Sequence, residues 1–265
     1  MWIPISDEPI ACRPHFTVAA ETDDWMVVDK AAPLIVHPSN GKKEPNLLEG
    51  VEELLCYEMV NGATLALVNR LDRETSGLTL IAKNKNAVRQ LGRAMQRRLM
   101  HKEYLAVVHG WPEWEQTACH APILRQGDVA ESRIWVKQAV HPDGRECLTT
   151  FATESRMTTE QGRLALVRCM PVTGRMHQLR VHLSHLGHPI VGDKIYGPSE
   201  ECYLEYIQHG WTEALAQALI LPRHALHACR LEFPFDEKTC TTEAGLPEDM
   251  RNLLAQKTGD ASQTV

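Results

Sequence analysis

The sequence is organised around residues 68–82, which read Val68-Asn69-Arg70-Leu71-Asp72-Arg73-Glu74-Thr75-Ser76-Gly77-Leu78-Thr79-Leu80-Ile81-Ala82. The apolar runs Leu65–Val68 and Leu78–Ala82 are short and rich in β-forming residues, so they predict two strands. The polar loop between them ends in Ser76-Gly77, a pair typical of turns. This stretch therefore predicts two strands that present a polar loop.

Asp72 lies in that loop between Arg70 and Arg73. Cations within reach of a carboxylate favour its charged form and lower its pKa. An ionised, positioned aspartate on a loop suits a covalent nucleophile or an electrostatic anchor. The alternative is a surface loop with an ordinary ion pair, which contributes little.

Length and composition indicate a globular protein. The chain has 265 residues, of which 43% are hydrophobic, enough for one large domain or two small ones. No apolar run approaches the roughly 18 residues of a membrane helix, and no signal peptide is evident, so we expect a cytoplasmic protein without a membrane partner. The 8 cysteines form no C-x-x-C pair, which argues against a zinc ribbon and favours reduced thiols.

The net charge of −6 argues against a non-specific polyanion binder, although charge distribution matters more than the total. Two segments, 75–102 and 161–192, contain basic residues but no acidic ones. In the first, Arg89, Arg93 and Arg97 are spaced four apart and form one stripe on a predicted helix. The stripe indicates either a track for phosphates or a solvated helix face.

Hydrophobic periodicity predicts the remaining elements. The predicted strands are Trp25–Asp29, Lys30–Pro38, Lys102–Gly110, Ser132–Lys137, Cys147–Ser155 and Leu164–Pro171. The predicted helices are Asn46–Tyr57, Asn84–Leu99, one that starts near Met176, one within 199–221 and Pro247–Gln256. The adjacent β segments favour antiparallel pairing.

Five blocks of sequence, in order, resemble the RluA family of RNA pseudouridine synthases. They are Lys30–Pro38, Arg70–Leu78, Lys102–Gly110, the segment Thr173–Gly197 with Thr-Gly-Arg-Met-His-Gln-Leu-Arg-Val-His and Gly-Asp-x-x-Tyr-Gly, and Arg223–Phe233. The resemblance covers roughly residues 23 to 256 and is more specific as an ordered set than in any single block. Asn69 stands where the family usually has His, Met176 where it has Thr, and Ala31 and Pro33 where it has Pro and Gly.

The resemblance implies an α+β fold, in which a long mixed, mostly antiparallel sheet is split into two halves with a catalytic cleft and flanking helices. It implies one catalytic domain over residues 1–256, without the S4-type RNA-binding domain that many members carry. Within it we expect an irregular arm at 1–20 and a helical insertion at 199–221. We expect a flexible tail at 257–265 and a monomer.

The implied reaction breaks the N1–ribose bond of uridine, rotates the base and rejoins it through C5. It needs no cofactor and no metal, and the nucleotide must be flipped out of its stack. The resemblance assigns Asp72 as nucleophile and Arg175 as its ion-pair partner. It assigns Tyr104 to packing on the uracil and taking the C5 proton, and Arg70 to filling the gap left by the base.

The implied partner is RNA, either ribosomal RNA or a transfer RNA stem-loop, and no DNA is expected. The further residues predicted to bind RNA are Arg73, Arg89, Arg93, Arg97, Lys102, His177 and Arg180.

Two other functions stay open at this point. If Asn69 spoils the loop, the chain is an inactive RNA-binding module of the same fold. The histidines at 177, 182, 185 and 188 favour, more weakly, a metal-dependent hydrolase, but their spacing differs from H-E-x-x-H and no acid lies among them. No nucleophile elbow, P-loop or dinucleotide fingerprint occurs.

Overall fold

A computed structural model describes residues 15–37 and 44–255 of the chain. The strands are β1 Phe16–Glu21, β2 Trp25–Lys30, β3 Ala66–Leu67, β4 Ser76–Ala82, β5 His101–His109, β6 Gln116–Cys119, β7 Ile123–Arg125, β8 Gln138–Val140, β9 Thr149–Thr159, β10 Gly162–Pro171, β11 Leu226–Phe235 and β12 Lys238–Glu243. The α-helices are α1 Leu47–Leu54, α2 Cys56–Val60, α3 Lys85–Gln96, α4 Gln178–His185, α5 Glu201–His209, α6 Glu213–Leu219 and α7 Glu248–Ala255. No helix of the described residues is both long enough and apolar enough to span a bilayer.

Ten of the strands form one sheet in the order β1-β2-β4-β11-β5-β10-β9-β6, with β12 beside β11 and β3 beside β4. Every pairing of named strands in the described residues is antiparallel except β4 with β11. That parallel pairing is short, matching Ser76 with His227 and Gly77 with Ala228. The prediction of a mixed, mostly antiparallel sheet is confirmed, and the short parallel pairing is where its two halves join.

Gly77 makes this join possible. Its φ is +111°, and a Cβ atom there would lie 2.3 Å from the carbonyl oxygen of Ala228. Only glycine combines this backbone conformation with such a close approach of two strands. The prediction of a turn at Ser76-Gly77 is therefore wrong, because both residues already belong to β4.

The centre of the sheet, at β2 and β4, is buried on both faces, as β2 shows. Trp25 and Val27 pack into a core that α3 covers. Met26 and Val28 pack into the core on the other face, together with residues of α1, α4 and α7. Since alternate residues of a strand point to opposite faces, a run such as Trp25–Val28 indicates a strand covered on both sides.

Helix α3 confirms the helix predicted over 84–99, although it ends earlier. The Asn84 side chain caps it by accepting a hydrogen bond from the N–H of Ala87 (2.9 Å), as is usual at helix N-termini. Ala87, Leu91 and Ala94 form its buried face. The insertion predicted at 199–221 contains α5 and α6, and the closing helix is α7.

Three further predictions of local structure are wrong. Residues 16–20 are not irregular, because β1 pairs with β2 at the edge of the sheet. The strand predicted over Lys30–Pro38 is absent from the described residues 31–37, where only Ile35 forms an isolated bridge, to Asn46. Ser132–Lys137 is irregular, with Ile134 buried and Trp135 exposed. Residues 1–14 and the tail predicted at 257–265 lie outside the described residues.

Candidate active site

Asp72 lies in the loop between β3 and β4, at the join of the two sheet halves. The loop lines a cleft with a cavity of about 420 Å³, a size suited to a small ligand or one nucleotide. Strand β5 contributes Lys102 and Tyr104 to the cleft, α4 contributes Arg180, and the end of α3 forms one rim. Asp72 is the one acidic residue among the described lining residues.

The partner of Asp72 is Arg180, which is only 5% exposed. Its Nη1 donates to Asp72 Oδ2 at 3.1 Å. Its Nε and Nη2 donate to the two carboxylate oxygens of Asp193, at 2.7 and 2.9 Å. Asp193 also accepts the backbone N–H groups of Ile195 and Tyr196. A guanidinium held in this bidentate way has a fixed orientation, so Asp72 is held in one place as well.

The electrostatics keep Asp72 ionised. Burial, the largest single effect, raises the pKa of Asp72. The charge of Arg180, followed by those of His177 and His224 and the hydrogen bond from Arg180, together outweigh burial, so the pKa lies below its usual value. His177 and His224 act in the same direction when they are charged. Burial, followed by Arg180, lowers the pKa of His177 to about 4, and burial also lowers that of His224 well below normal. Both rings are therefore neutral near pH 7, and Arg180 is the cation that matters.

His177 lies beside this pair in a left-handed conformation, with φ of 57°. Its Nδ1 lies 2.8 Å from the Tyr196 hydroxyl, and its Nε2 lies 3.8 Å from Asp72 Oδ2. Because a left-handed residue cannot continue a right-handed helix, α4 begins at Gln178 and not near Met176. The structure thus places His177 against the candidate carboxylate.

The assignment of Arg175 as the partner of Asp72 is corrected by this geometry. Arg175 lines the cleft, but its guanidinium lies 3.4 Å from the carbonyl oxygen of Glu146. It precedes the left-handed residue and α4, whereas Arg180 lies inside α4 and faces the loop. Arg73 is not the cation that holds Asp72 either, because it pairs with Glu44 at 3.3 Å.

Further anchors, which sequence reasoning missed, fix the rest of the loop. Lys194 Nζ donates to Glu74 Oε1 at 2.7 Å, and His224 Nε2 lies 2.7 Å from Thr75 Oγ1. We call Glu74, Arg180, Asp193, Lys194 and His224 the anchoring network. Asp193 and His224 occur in the family-like blocks Gly-Asp-x-x-Tyr-Gly and Arg-His-Ala-Leu, so a signal for them existed.

Lys30 supports the loop from the other side. Its side chain is fully buried, and its Nζ donates to the carbonyl oxygens of Ala31, Leu34 and Arg73 at 3.0, 2.9 and 3.3 Å. Three backbone acceptors satisfy all three N–H donors of an ammonium group. Lys30 therefore ties the backbone next to Asp72 to the segment that follows β2.

Asn69 fills a structural role in the same loop. Its side-chain nitrogen donates to the carbonyl of Leu78 at 3.2 Å, and its side-chain oxygen accepts the N–H of Leu80 at 2.7 Å. The amide thus uses a donor and an acceptor to hold the loop against β4. Nothing in this geometry disturbs Asp72, so the loop is intact with Asn at this position.

Tyr104 forms part of the cleft wall and is 9% exposed. Its strand β5 is held between β10, where Cys169 is the partner, and β11, where Ala228 is the partner. Burial raises the pKa of Tyr104 above its usual value, and the charge of Asp72 adds to the increase. The hydroxyl is therefore protonated near neutral pH.

Three cationic side chains line the cleft without any hydrogen bond or ion pair to the described residues: those of Arg70, Arg98 and Lys102. We call them the rim cations. Burial lowers the pKa of Lys102 from its usual value. The stripe Arg89, Arg93 and Arg97 does not line the cleft, but it is exposed and has no acidic partner within the described part of the chain.

The four clustered histidines do not converge. His182 is buried between Cys147, Thr149 and the carbonyl of Ala121, and His188 binds the carbonyl of His109. His177 faces Tyr196, and His185 is exposed. Within residues 15–37 and 44–255, no group of three or more His, Cys, Asp or Glu side chains is placed to hold a metal ion. The geometry therefore gives no support to the metal-dependent hydrolase.

The fold and the site together define a class of protein: a split mixed sheet with a cleft that is lined, among the described residues, by one ionised aspartate, a buried tyrosine and unpaired cations. The family model described as RNA pseudouridylate synthase matches residues 24–185. The chain belongs to this family, whose members are isomerases that convert uridine in RNA to pseudouridine.

Two curated relatives show how far the similarity extends. The chain is 34% identical over 254 residues to ribosomal large subunit pseudouridine synthase D of Xanthomonas campestris pv. campestris, which covers 94% of this chain and 71% of the relative. It is 35% identical over 257 residues to ribosomal large subunit pseudouridine synthase C of Escherichia coli K12, covering 93% of this chain and 74% of the relative.

Among solved structures, the chain resembles human RNA pseudouridylate synthase domain containing 4, with a TM-score of 0.67 and 23% identity over 90% of this chain and 92% of that one. Human RNA pseudouridylate synthase domain containing 1 gives a TM-score of 0.66, with 23% identity, over 87% of this chain and 83% of that one. These likenesses confirm the fold.

Proposed function

We propose that this chain converts uridine to pseudouridine in the RNA of the large ribosomal subunit, with Asp72 as the reacting carboxylate. The observation that carries the proposal is the Asp72–Arg180–Asp193 arrangement, which supplies an ionised, oriented carboxylate at the floor of a basic cleft. The two bacterial relatives are named for the large subunit, which favours ribosomal RNA over transfer RNA.

In the proposed reaction, the target uridine leaves its stack and enters the cleft. Asp72 acts at the sugar or base as the N1–C1′ bond breaks, and the freed uracil turns on the face of Tyr104. C1′ then bonds to C5, the C5 proton leaves, and N1 gains a proton, so the product is an isomer of the substrate. Nothing is oxidised, and no group is imported.

Tyr104 contributes a flat apolar surface in this scheme. Because its pKa is raised, the phenol keeps its proton near neutral pH, so its oxygen can take the C5 proton only while handing on its own. Arg70 lines the cleft, is exposed and has no side-chain partner among the described residues, so it is suited to occupy the space vacated by the flipped base. Arg73, paired with Glu44, would contact RNA only by giving up that ion pair.

The stripe of α3 is proposed to guide the RNA backbone, since exposed arginines without acidic partners attract phosphates. We further propose that the catalytic unit is a single domain, acts as a monomer in the cytoplasm and does not act on DNA. No step of the proposed reaction calls for a cofactor or a metal.

The test is tritium release from RNA labelled at uridine C5. The substrate is RNA from cells that lack the enzyme, and the protein is used before and after treatment with a chelator. We expect release in both cases, and a chemical stop specific for pseudouridine should map the product to large-subunit RNA. Release from transfer RNA alone would overturn the substrate assignment.

Two outcomes would overturn the proposed reaction itself. Activity that disappears on chelation and returns with zinc would favour the hydrolase. RNA binding without any tritium release from ribosomal or transfer RNA would favour the inactive binding module.

A further inference from the structure

Arg98 stands at a position where the backbone favours glycine. Its φ is +58°, directly after α3. Its N–H donates to the carbonyl of Met95 at 3.1 Å, and the N–H of Leu99 donates to the carbonyl of Ala94 at 2.9 Å. These two bonds form a Schellman motif, whose left-handed residue is usually glycine because a Cβ atom is strained there. Arg98 therefore carries a long side chain at a backbone position where that side chain causes strain.

Within the part of the chain that the structure describes, no partner of the Arg98 side chain explains the strain. It is exposed and lines the cleft that holds Asp72. It makes no hydrogen bond or ion pair with any residue in the described ranges. By contrast, Arg168, Arg180 and Arg223 each hold at least one carboxylate. A strained residue at a cleft, with its functional group unused by the protein, points to a ligand.

The neighbourhood of Arg98 indicates the charge of that ligand. Lys102 lines the same cleft and is partly buried, and its side chain also has no partner within the described ranges. Its Nζ would lie 3.9 Å from a Cβ atom built at Gly174, in the loop that precedes α4. The one carboxylate of the lining, Asp72, is already paired with Arg180. Two uncompensated cations in one cleft call for an anion.

We propose that Arg98, together with Lys102, binds a backbone phosphate of the RNA next to the flipped uridine. This inference rests on the proposed function, because it takes RNA as the substrate. The guanidinium supplies a planar pair of donors that matches a phosphate, and the ammonium supplies a point charge beside it. Arg98 thus holds the RNA backbone, and Asp72 acts on the flipped nucleotide.

The test uses Arg98→Gly, which removes the side chain and suits the left-handed backbone. Because glycine suits the left-handed backbone, we expect a Tm equal to or above that of the wild type in either case. If Arg98 only ends the helix, the variant should bind RNA as the wild type does. We also expect Kd and KM to rise about tenfold at low salt while kcat changes little.

Salt dependence identifies phosphate as the contact. The probe is C5-tritiated RNA from cells that lack the enzyme. The slope of log affinity against log salt should fall by about 0.7 to 0.9 in Arg98→Gly, the change for one phosphate contact. Arg98→Lys should restore most of the slope. Arg251→Ala, an exposed arginine of α7 that is not among the described lining residues of the cleft, should leave it unchanged.

The outcomes separate this inference from the proposed function. An unchanged slope and Kd in Arg98→Gly, with an active wild type, would overturn the phosphate contact and leave the isomerase. A reduced slope with a wild type that never releases tritium would support the contact and overturn the isomerase. A lower affinity with an unchanged slope would show base stacking by Arg98 and overturn the phosphate contact.

Discussion

The charged groups that hold the Asp72 loop and the other cations that line its cleft differ in whether the protein itself supplies their ion-pair partners. In the anchoring network, Arg180 has a carboxylate on each side, and Glu74 is held by Lys194. The rim cations Arg70, Arg98 and Lys102 line the same cleft and have no partner within the described residues. The charges of the anchoring network are paired without a substrate, whereas those of the rim cations are not paired by any described residue.

This difference indicates a division of labour. Buried charges that are fully paired keep their geometry whether or not RNA is present, so they suit the positioning of a reacting group. Unpaired exposed cations gain most when a polyanion arrives, so they suit binding. Changes in the anchoring network should therefore lower stability and kcat, whereas changes at the rim or along the α3 stripe should alter affinity and its salt dependence.

The largest effect is expected from Arg180→Gln. This change leaves the carboxylate of Asp193 buried without its cation, and such losses cost about 3 to 5 kcal/mol of unfolding free energy. It also removes the group that holds Asp72, so tritium release should be lost. Urea denaturation and tritium release at a temperature where the variant is folded would measure the two effects.

Arg175→Gln is the matched control for stability. Arg175 lines the same cleft, but within the described residues its side chain hydrogen-bonds only to a backbone carbonyl. We therefore expect the unfolding free energy of this variant to differ from the wild type by about 0.5 kcal/mol or less. Equal destabilisation by the two variants would contradict the assignment of Arg180, and not Arg175, as the partner of the buried carboxylates.

The next effect concerns the stripe. Replacing Arg89, Arg93 and Arg97 together by alanine should leave kcat and stability near those of the wild type, because the three side chains are exposed and have no partner within residues 15–37 and 44–255. The slope of log affinity against log salt should fall by about 0.7 to 0.9 for each phosphate contact removed. Filter binding across a salt series measures this, with Arg251→Ala as the control. An unchanged slope would make the stripe a solvated helix face.

A smaller effect is expected from Asn69→His. Asn69 holds the backbone of β4 through one donor and one acceptor, and a neutral imidazole also offers one of each. We expect tritium release to change by no more than about tenfold, or roughly 1.4 kcal/mol. If the wild type is inert and Asn69→His is active, the chain is a degenerate synthase whose loop fails at this residue.

The smallest expected effect is that of pH on kcat. The pKa of Asp72 lies below its usual value and that of His177 is about 4. Burial lowers the pKa of Lys30 to about 7, so Lys30 is mostly protonated at about pH 6.5 and below. A carboxylate with a lowered pKa keeps its charge until the pH falls through that pKa. Between about pH 6.5 and about pH 5, kcat should therefore change less than twofold. A steep fall within this range would show that Arg180 does not hold Asp72 ionised.

Much of the site could be predicted from the sequence, because its parts lie in short blocks whose residues are close in the chain. Such blocks contain the loop with Asp72, the strand with Tyr104 and the helix with Arg180. The pattern of residues 78–82 predicts a strand, and β4 confirms it. The sequence of each block does not show which residues of different blocks contact one another.

The choice between Arg175 and Arg180 shows the limit. It depends on where α4 begins, and that is set by the left-handed conformation of His177, which packs against Tyr196. Arg98 was hidden for a similar reason: it continues the basic run of α3 in sequence, but its positive φ turns it away from the stripe and toward the cleft. Lys30 hydrogen-bonds to a backbone carbonyl 43 residues further along the chain, and no sequence pattern near Lys30 predicts that contact.

The central claim is that Asp72 performs the chemistry while other groups bind the RNA. The most direct measurement compares Asp72→Asn with the wild type in single-turnover tritium release and in RNA binding, on the same C5-labelled RNA. The amide preserves the size of the side chain, and Arg180 keeps Asp193 as its partner, so the variant should fold. We predict that release is abolished while Kd stays within about threefold of the wild type, which is less than 1 kcal/mol. Release within about tenfold of the wild-type rate would contradict the account.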